Sequence, residues 1–286
     1  MPELPEVEVV KQSLDKKIKF QKINKVVVSN RNLRFKVPKK FEFILKSKII
    51  NHISRKSKYL IFHLNKKTYF ILHLGMSGTM HLIKKKNFLN TNLSFYGSAN
   101  LPANHNHVIF FLSKYKLIYN DPRRFGFIKV FKNKNELELY FKKIGPEPLN
   151  SDFNINYIDK YLKGKKKIIK NFLLDQKFVS GIGNIYASEI LYYSKINPLK
   201  QAYKISKKEI KNLKYFSKFI LQKAIKKGGS SIKDFKNIKG KIGNYQLEFK
   251  VYNRQNLACL GKYCSGKIIK KNITNRSTFF CNTCQK

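Results

Sequence analysis

The four cysteines of this 286-residue chain all lie within its last 28 residues. Their spacing is C-x4-C-x16-C-x2-C, two close pairs separated by a β-like stretch, which is typical of four thiolates placed tetrahedrally around Zn²⁺. A tail this short cannot bury a core of its own, so we expect the metal to supply its folding free energy. Free or disulfide-bonded cysteines are the alternative, but such clustering favours metal in a reducing compartment. The sequence predicts one structural Zn²⁺ bound by Cys259, Cys264, Cys281 and Cys284.

The composition is that of a folded and strongly basic chain. Hydrophobic residues make up 42% of it and aromatic residues 14%, which excludes a disordered polypeptide. Its formal net charge of +44 predicts binding to a polyanion, most simply a nucleic acid. Most of the basic residues are Lys, and a bias toward Lys, Asn and Ile, as in an AT-rich genome, accounts for part of this excess equally well. The few Arg residues are therefore the more informative ones.

The start of the chain shows no secretory signal, because Met1 to Val10 contain three Glu, two Pro and no basic residue. Further along, no apolar run approaches the roughly 20 residues of a membrane span. We therefore expect a cytoplasmic protein with no membrane partner, associated with the nucleoid through nucleic acid.

The first half of the chain is predicted to form one helix followed by short strands. Val7, Val10, Leu14 and Ile18 recur at helical spacing after Pro5, which suits a first helical turn. From about residue 20 to 131, β-rich runs alternate with turns, which predicts a sandwich or a barrel. The candidate strands are Ile23–Ser29, Phe41–Ile50, Tyr59–Leu64, Tyr69–Leu74, His107–Leu112, Leu117–Tyr119 and Phe127–Phe131.

The second half is predicted to be helical. Gly145-Pro146-Glu147-Pro148 is a stiff break, and we place a linker around it at 136–150. Ser206 and Glu209 have the spacing of a capping box at the start of a long helix, which Gly228-Gly229 ends. The fold class is thus multidomain α+β. The predicted domains are a β-rich domain at 1–135, a helical domain at 151–253 and the cysteine module at 254–286.

Motifs along the whole chain resemble the formamidopyrimidine-DNA glycosylase family. They are MPELPEVE at 1–8, HLGMSG at 73–78, NDPRRFG at 120–126, GIGNIYA at 181–187 and RSTFFC at 276–281 with CQK at 284–286. The resemblance implies an N-terminal β-sandwich with an N-terminal helix, a helix–two-turns–helix domain and a C-terminal zinc finger. It also implies a monomeric enzyme that removes oxidised purines from double-stranded DNA and cleaves the chain at abasic sites.

The resemblance assigns the chemistry to Pro2 and Glu3. Once Met1 is removed, Pro2 presents a secondary α-amine, whose pKa of roughly 8 leaves a useful neutral fraction for attack on C1′ of a nucleotide. Glu3 is placed to transfer protons to the sugar and the base. Glu6 is expected to support the site, and Lys58 to bind phosphate beside the lesion. Without the family, the same start is only a helix N-terminus with acids near its dipole.

Further residues match the family's DNA contacts. Met76, Arg123 and Phe125 are expected to fill the gap left by a flipped nucleotide, Arg123 by hydrogen bonds to the orphaned cytosine. The alternative is that Met76 and Phe125 are ordinary core residues, which the glycines around them oppose. Four residues are expected at the DNA backbone or close to the lesion: His105, Lys170, Asn184 and Arg276.

The glycine-rich segment from Ser230 to Tyr245 resembles the family's lesion-capping loop. Two departures from the family pattern are Asn106, where an Asp is common between two histidines, and Asn275 before Arg276. The rival functions are an endonuclease VIII-like glycosylase for oxidised pyrimidines, which Leu4 opposes, and a non-catalytic zinc-finger protein that binds nucleic acid.

Overall fold

The structure is a computed structural model that describes residues 1–84, 102–230 and 244–286. These residues form two compact units. The first comprises Met1–Lys142 with the described part of Lys227–Asn244, and the second comprises Lys143–Lys226 with Tyr245–Lys286. Among the described helices, none is both long enough and apolar enough to cross a membrane.

The first unit contains two four-stranded antiparallel sheets with a helix packed on one of them. Its elements are α1 (Leu4–Ile18), β1 (Ile23–Val28), α2 (Phe41–Leu45), β2 (Ile50–Lys56), β3 (Tyr59–Leu64), β4 (Tyr69–His73), β5 (Thr79–Lys84), β6 (Asn106–Leu112), β7 (Tyr115–Asn120), β8 (Phe127–Phe131) and α3 (Lys134–Phe141). The strand orders are β1-β6-β7-β5 and β2-β3-β4-β8. This architecture confirms the predicted β-sandwich with an N-terminal helix.

Helix α1 forms as its sequence period predicts. Val7, Val10, Leu14 and Ile18 are all fully buried, and α1 contacts β2 and β3. Full burial of one such side chain is worth about 1.5–3 kcal/mol, so this apolar face holds the N-terminus of the chain against the sheet. The catalytic candidates at residues 2 and 3 are therefore placed by the packing of the helix that follows them.

The strand predictions need correction at three places, one where a predicted strand is wrong and two where a strand was not predicted. The predicted strand Phe41–Ile50 is wrong, because α2 occupies its start and buries Phe41 and Leu45, four residues apart, on one face. Phe43 between them is 81% exposed. Strands β2 and β5 were not predicted. In β2 a register shift near its start interrupts the two-residue period on which strand prediction depends, and only Ile50 and Ile53 are buried there.

The second unit contains four helices and one hairpin. They are α4 (Ile155–Leu162), α5 (Ile169–Leu174), α6 (Asn184–Tyr193), α7 (Lys207–Lys226), β9 (Ile268–Ile273) and β10 (Arg276–Cys281). The capping box before α7 is confirmed, since Ser206 and Glu209 each accept the other's backbone N–H, at 3.2 and 2.8 Å. Gly228 and Gly229 follow the helix with φ values of 80° and 82°. The cysteine module lies in the same compact unit as these helices, and the finer boundaries at 136–150 and 253/254 stay predictions.

Candidate active site and DNA-contact residues

The candidate catalytic residues Pro2 and Glu3 are buried at the beginning of α1. Glu6 fixes this start, because its Oε2 accepts the backbone N–H of Glu3 at 2.9 Å. Its Oε1 accepts both the N–H and the hydroxyl of Ser230, at 2.8 and 2.9 Å. Gly229 packs so closely on Glu6 that a Cβ there would lie 3.1 Å from Oε1. The supporting role predicted for Glu6 thus has a geometric basis.

Glu6 is thereby connected to the first residue of the predicted lesion-capping loop. Ser230 pairs with Asn244 in an isolated antiparallel bridge. The rest of that loop, residues 231–243, lies outside the described residues.

The N-terminal amine lies in surroundings that favour its neutral form. Burial lowers the pKa of the Met1 amine below its usual value of 8.0, and the charges of Lys58 and Arg123 lower it further, while Glu3 and Glu6 act in the opposite direction. Burial has the largest effect, because it removes water from the ammonium ion. The Pro2 nitrogen is an amide while Met1 is attached, and it becomes the N-terminal amine only once Met1 is removed.

Lys58 lies directly before β3, in the tight turn between β2 and β3, and is 7% exposed. Ser57 before it has a φ of 55°. Arg55 joins this turn to α1, since it donates to the Glu8 carboxylate at 2.7 Å and to the Ser57 carbonyl at 2.9 Å. Burial alone would raise the pKa of Glu8, but the hydrogen bond and charge of Arg55 outweigh it and lower that pKa. The turn with Lys58 is therefore held beside α1, the helix that follows the candidate catalytic residues.

Two turns present the residues predicted to fill the gap that a flipped nucleotide leaves in the DNA. Met76 follows β4 and is 41% exposed, whereas Phe125 precedes β8 and is 42% exposed. The Arg123 guanidinium lies 4.6 Å from the centroid of the Phe125 ring. The turns meet at Gly75 and Gly126, where a Cβ on Gly75 would lie 2.4 Å from the Gly126 nitrogen. The exposed positions of Met76 and Phe125 exclude the alternative that they are core residues.

Asp121 joins these two turns, and sequence reasoning gave it no role. It is fully buried. Its Oδ1 accepts the Ser77 hydroxyl at 2.6 Å, and its Oδ2 accepts the Tyr119 hydroxyl and the Gly126 N–H, at 2.9 and 2.8 Å. The Ser77 oxygen accepts the Arg123 N–H at 3.2 Å. An acid directly before a proline, in a glycine-containing motif, was the available signal.

His105 is the last residue of the short 3₁₀ helix Ala103–His105, which directly precedes β6, and it is half-buried. Its carbonyl accepts the N–H of Asp121 at 3.0 Å, so it adjoins the second of the two turns. At the unusual Asn106, the side-chain oxygen accepts the amide of Asn120 at 2.8 Å. A contact of His105 with DNA stays a prediction.

In the second unit, Asn184 and Arg276 are brought close together. Asn184 begins α6, as predicted for the residue after the glycine turn, and its amide donates to the carbonyl of Ser277 at 2.8 Å. The exposed Arg276 follows a hairpin turn in which Thr274 and Asn275 have φ values of 51° and 57°. Left-handed geometry at both central residues is that of a type I′ turn, and Asn tolerates it well. Their phosphate contacts remain predictions.

Beside Arg276 runs an open groove of about 530 Å³ whose lining mixes apolar, polar and charged side chains. Its lining includes Lys167, Asn171 and Thr274, and the Thr274 hydroxyl donates to Asn171 at 3.0 Å. Lys170, in contrast, is fully buried and donates to the hydroxyl of Thr278. It is therefore not a solvated lysine, and its predicted contact with DNA gains no support from its position.

A second polar contact joins α6 to the chain that leads into the cysteine module. The Glu189 carboxylate, fully buried, accepts the N–H groups of Lys250, Val251 and Tyr252 at 2.9–3.0 Å. Burial raises the pKa of Glu189, although these three donors favour its charged form. Gln285 makes a similar connection, because it accepts the N–H of Cys281 and donates to a carbonyl of the helical part, at 2.9 and 2.8 Å.

The four cysteine sulfurs lie within 4.8 Å of one another. The distance from Cys259 to Cys284 is 3.8 Å, and that from Cys264 to Cys281 is 3.6 Å. A tetrahedron with Zn–S bonds of about 2.3 Å has edges of about 3.8 Å, whereas a disulfide needs sulfurs about 2.05 Å apart. The donor set and its spacing fit a metal ion and exclude paired disulfides.

Comparison with known proteins agrees with this description. Residues 1–128 match the family model for the formamidopyrimidine-DNA glycosylase N-terminal domain, and residues 144–236 match that for the formamidopyrimidine-DNA glycosylase H2TH domain. The formamidopyrimidine-DNA glycosylases of Wolbachia sp. subsp. Brugia malayi and Rickettsia bellii are 39% and 41% identical to the chain, and both alignments cover 100% of each protein.

Solved structures give the same result for the whole chain. A Lactococcus lactis FPG mutant in complex with Fapy-dG containing DNA has a TM-score of 0.88 at 35% identity and covers 100% of both chains. The complex between Lactococcus lactis Fpg and abasic-site containing DNA has a TM-score of 0.87 at 35% identity, over 99% of both chains. These matches extend over both units, so the chain belongs to the formamidopyrimidine-DNA glycosylase family.

Proposed function

We propose that the protein excises oxidised purines from double-stranded DNA and cleaves the strand at the resulting abasic site, with Pro2 as nucleophile. The observation that supports this most directly is the buried start of α1, where Pro2 and Glu3 adjoin Glu6 and where burial lowers the pKa of the amine on Met1, the residue directly before Pro2. The DNA bound by the solved relatives contains Fapy-dG or an abasic site, which fits the same substrate class.

The chemistry follows from an unprotonated secondary amine. The Pro2 nitrogen forms a bond to C1′ while the bond from C1′ to the base breaks, and the base leaves with the electron pair and takes up a proton. Glu3 protonates the ring oxygen O4′, the sugar opens, and the nitrogen becomes an iminium cation. The iminium acidifies C2′, so loss of that proton expels the 3′ phosphate, and a second elimination expels the 5′ phosphate. Water then releases Pro2.

Binding would precede this chemistry. Lys58, held in its turn by Arg55, supplies a cation for a phosphate beside the lesion, and Arg276 and Asn184 supply a second anchor on DNA. Met76, Arg123 and Phe125, on their paired turns, fill the space that the extruded nucleotide leaves. The partly exposed thioether of Met76 and ring of Phe125 can pack against bases, and the Arg123 guanidinium offers two donors to cytosine.

The cysteine cluster would hold one Zn²⁺ through all four sulfurs. Four thiolates leave no open coordination position for water or substrate, so the metal supplies folding free energy and no step of the reaction. Its effect on DNA binding is indirect, because β10 begins with Arg276 and ends with the ligand Cys281.

The test is borohydride trapping on an 8-oxoguanine duplex. Protein with a free Pro2 amine should form a covalent adduct, whereas protein with Met1 retained, verified by intact mass, should bind the duplex and form none. Arg276→Ala is the matched control, because at saturating protein it should still be trapped. Normal excision by protein that retains Met1 would refute the assignment of Pro2.

A further inference from the structure

The last turn of α6 brings a phenol against one of the four cysteine sulfurs. Tyr192 is 4% exposed, and its hydroxyl oxygen lies 3.5 Å from the Sγ of Cys259, itself 7% exposed. The two side chains belong to one apolar cluster with Val251, Ile268 and Phe279. A phenol in such a cluster usually has a hydrogen-bond partner, and here a sulfur occupies that position.

A backbone donor reaches the same sulfur from another direction. The N–H of Gly261, in the four-residue loop between the first two cysteines, lies 3.4 Å from Cys259 Sγ. A Cβ on Gly261 would lie 3.3 Å from the Tyr192 hydroxyl and 3.4 Å from that sulfur. The loop therefore brings backbone, phenol and sulfur into mutual contact at a residue without a side chain.

The charge of the site decides the direction of the Tyr192 hydrogen bond. A metal-bound cysteine is a thiolate with no proton, so the phenol must be the donor. Four thiolates around Zn²⁺ have a net charge of about −2, which is costly to bury unless N–H and O–H donors stabilise it. The ammonium of Lys195 lies 4.9 Å from the Tyr192 ring centroid and adds positive charge nearby.

We propose that Tyr192 is a positioning residue of the metal centre, which donates a hydrogen bond to the Cys259 thiolate and so slows loss of Zn²⁺. This rests on the zinc site proposed above. The bond uses a sulfur lone pair that does not bind the metal. It holds the sulfur in place, as outer-shell partners of metal ligands do. It also couples the metal to α6, the helix whose first residue contacts the strand of Arg276.

The experiment uses the zinc-loaded full chain and the Tyr192→Phe variant, which keeps the ring. Zinc transfer to excess chelator should be about 10-fold faster in the variant, the lower end of the effect typical for outer-shell partners. Tyr193→Phe is the matched control, because Tyr193 lies on the same helix with its ring on Phe216, 5.6 Å between centroids, and its release rate should equal that of the wild type.

Cobalt substitution separates a hydrogen bond from mere packing. Without the donor, the Cys259 thiolate is the richer electron donor, so the thiolate-to-Co²⁺ charge-transfer band should move to lower energy in Tyr192→Phe and stay in place in Tyr193→Phe. An unchanged band or an unchanged release rate would overturn the proposal, whatever the melting temperature does.

If Tyr192→Phe takes up no metal, Gly261→Ala is measured in the same two ways, because its added Cβ would lie 3.3 Å from the Tyr192 hydroxyl and shift that contact by a few tenths of an ångström. Absence of zinc from the wild-type protein would instead refute the zinc site itself. Failure of the zinc site is thus distinguished from failure of the Tyr192 hydrogen bond.

Discussion

Asp121→Asn tests whether one buried carboxylate holds the DNA-contact turns together. The two oxygens of Asp121 accept three hydrogen bonds, from Ser77, Tyr119 and Gly126, in a fully buried position. An asparagine side chain has nearly the same shape but no charge, and an NH₂ group replaces one acceptor. The substitution therefore changes the strength and number of these bonds while leaving the volume unchanged.

The expected loss can be worked from those contacts. A hydrogen bond to a charged group contributes about 2 kcal/mol and a neutral one about 1 kcal/mol. Asparagine loses one of the three bonds and keeps at most two as neutral bonds, so the substitution costs about 4 kcal/mol. Tyr119→Phe is the matched control: it removes one donor to the carboxylate and leaves the other two, so it should cost about 2 kcal/mol. Both variants preserve the apolar packing around the turns.

Two measurements check this prediction. Urea unfolding gives the change in the free energy of unfolding, and paired excision assays on 8-oxoguanine opposite C and opposite A give the opposite-base preference. Asp121→Asn should also reduce that preference, because the turn with Arg123 is held through Ser77. If Asp121→Asn unfolded within about 0.5 kcal/mol of the wild type and kept the full preference, the assigned role would be wrong.

Other outcomes follow from single residues. Arg123→Ala should abolish most of a preference for lesions opposite C worth about 1–3 kcal/mol, and an unchanged ratio in the paired assays would remove Arg123 from that role. Arg276→Ala should weaken binding whatever the opposing base and lower the slope of log K against log salt by about one unit; a base-dependent loss would contradict a phosphate contact. Metal analysis of active protein should find one zinc per chain, and zinc-free active protein would disprove the site. Burial lowers the pKa of His81 to about 4, so the stability that its neutral form contributes is complete above pH 6.5 and is lost as the pH falls from 6.5 toward 4. The urea midpoint should accordingly be lower near pH 4.5 than near pH 7.5, and a pH-independent midpoint would contradict this.

Local patterns were predictable from the sequence, and contacts between distant segments were not. The helical period of α1, the capping box at Ser206 and the cysteine spacing each depend on residues close together in the chain. Strand β2 was missed because its register shift disrupts the period. Lys170 lies in a lysine-rich run and differs from its neighbours only in the structure, where it is buried against Thr278, 108 residues away.

The same difference between local patterns and long-range contacts applies to the candidate site. Pro2 and Glu3 were identified by a motif, whereas the bond from Glu6 to Ser230 spans 224 residues and has no local signal. Asp121 lies within a recognisable motif, but its hydrogen bond with Ser77, 44 residues earlier, has no local signal in the sequence.

The buried polar contact between α6 and the chain that leads into the cysteine module has a consequence for folding during synthesis. Helices α5 and α6 are complete at residue 193, but the partners of Lys170 and Glu189 lie 61 to 108 residues further along. At roughly 5–20 residues per second, a ribosome supplies them several seconds later. Burying the Glu189 carboxylate without these backbone donors costs several kcal/mol, so α6 is expected to stay loosely packed until residues 250–252 emerge. The helical half would then complete its packing only after the segment that leads into the cysteine module has been synthesised.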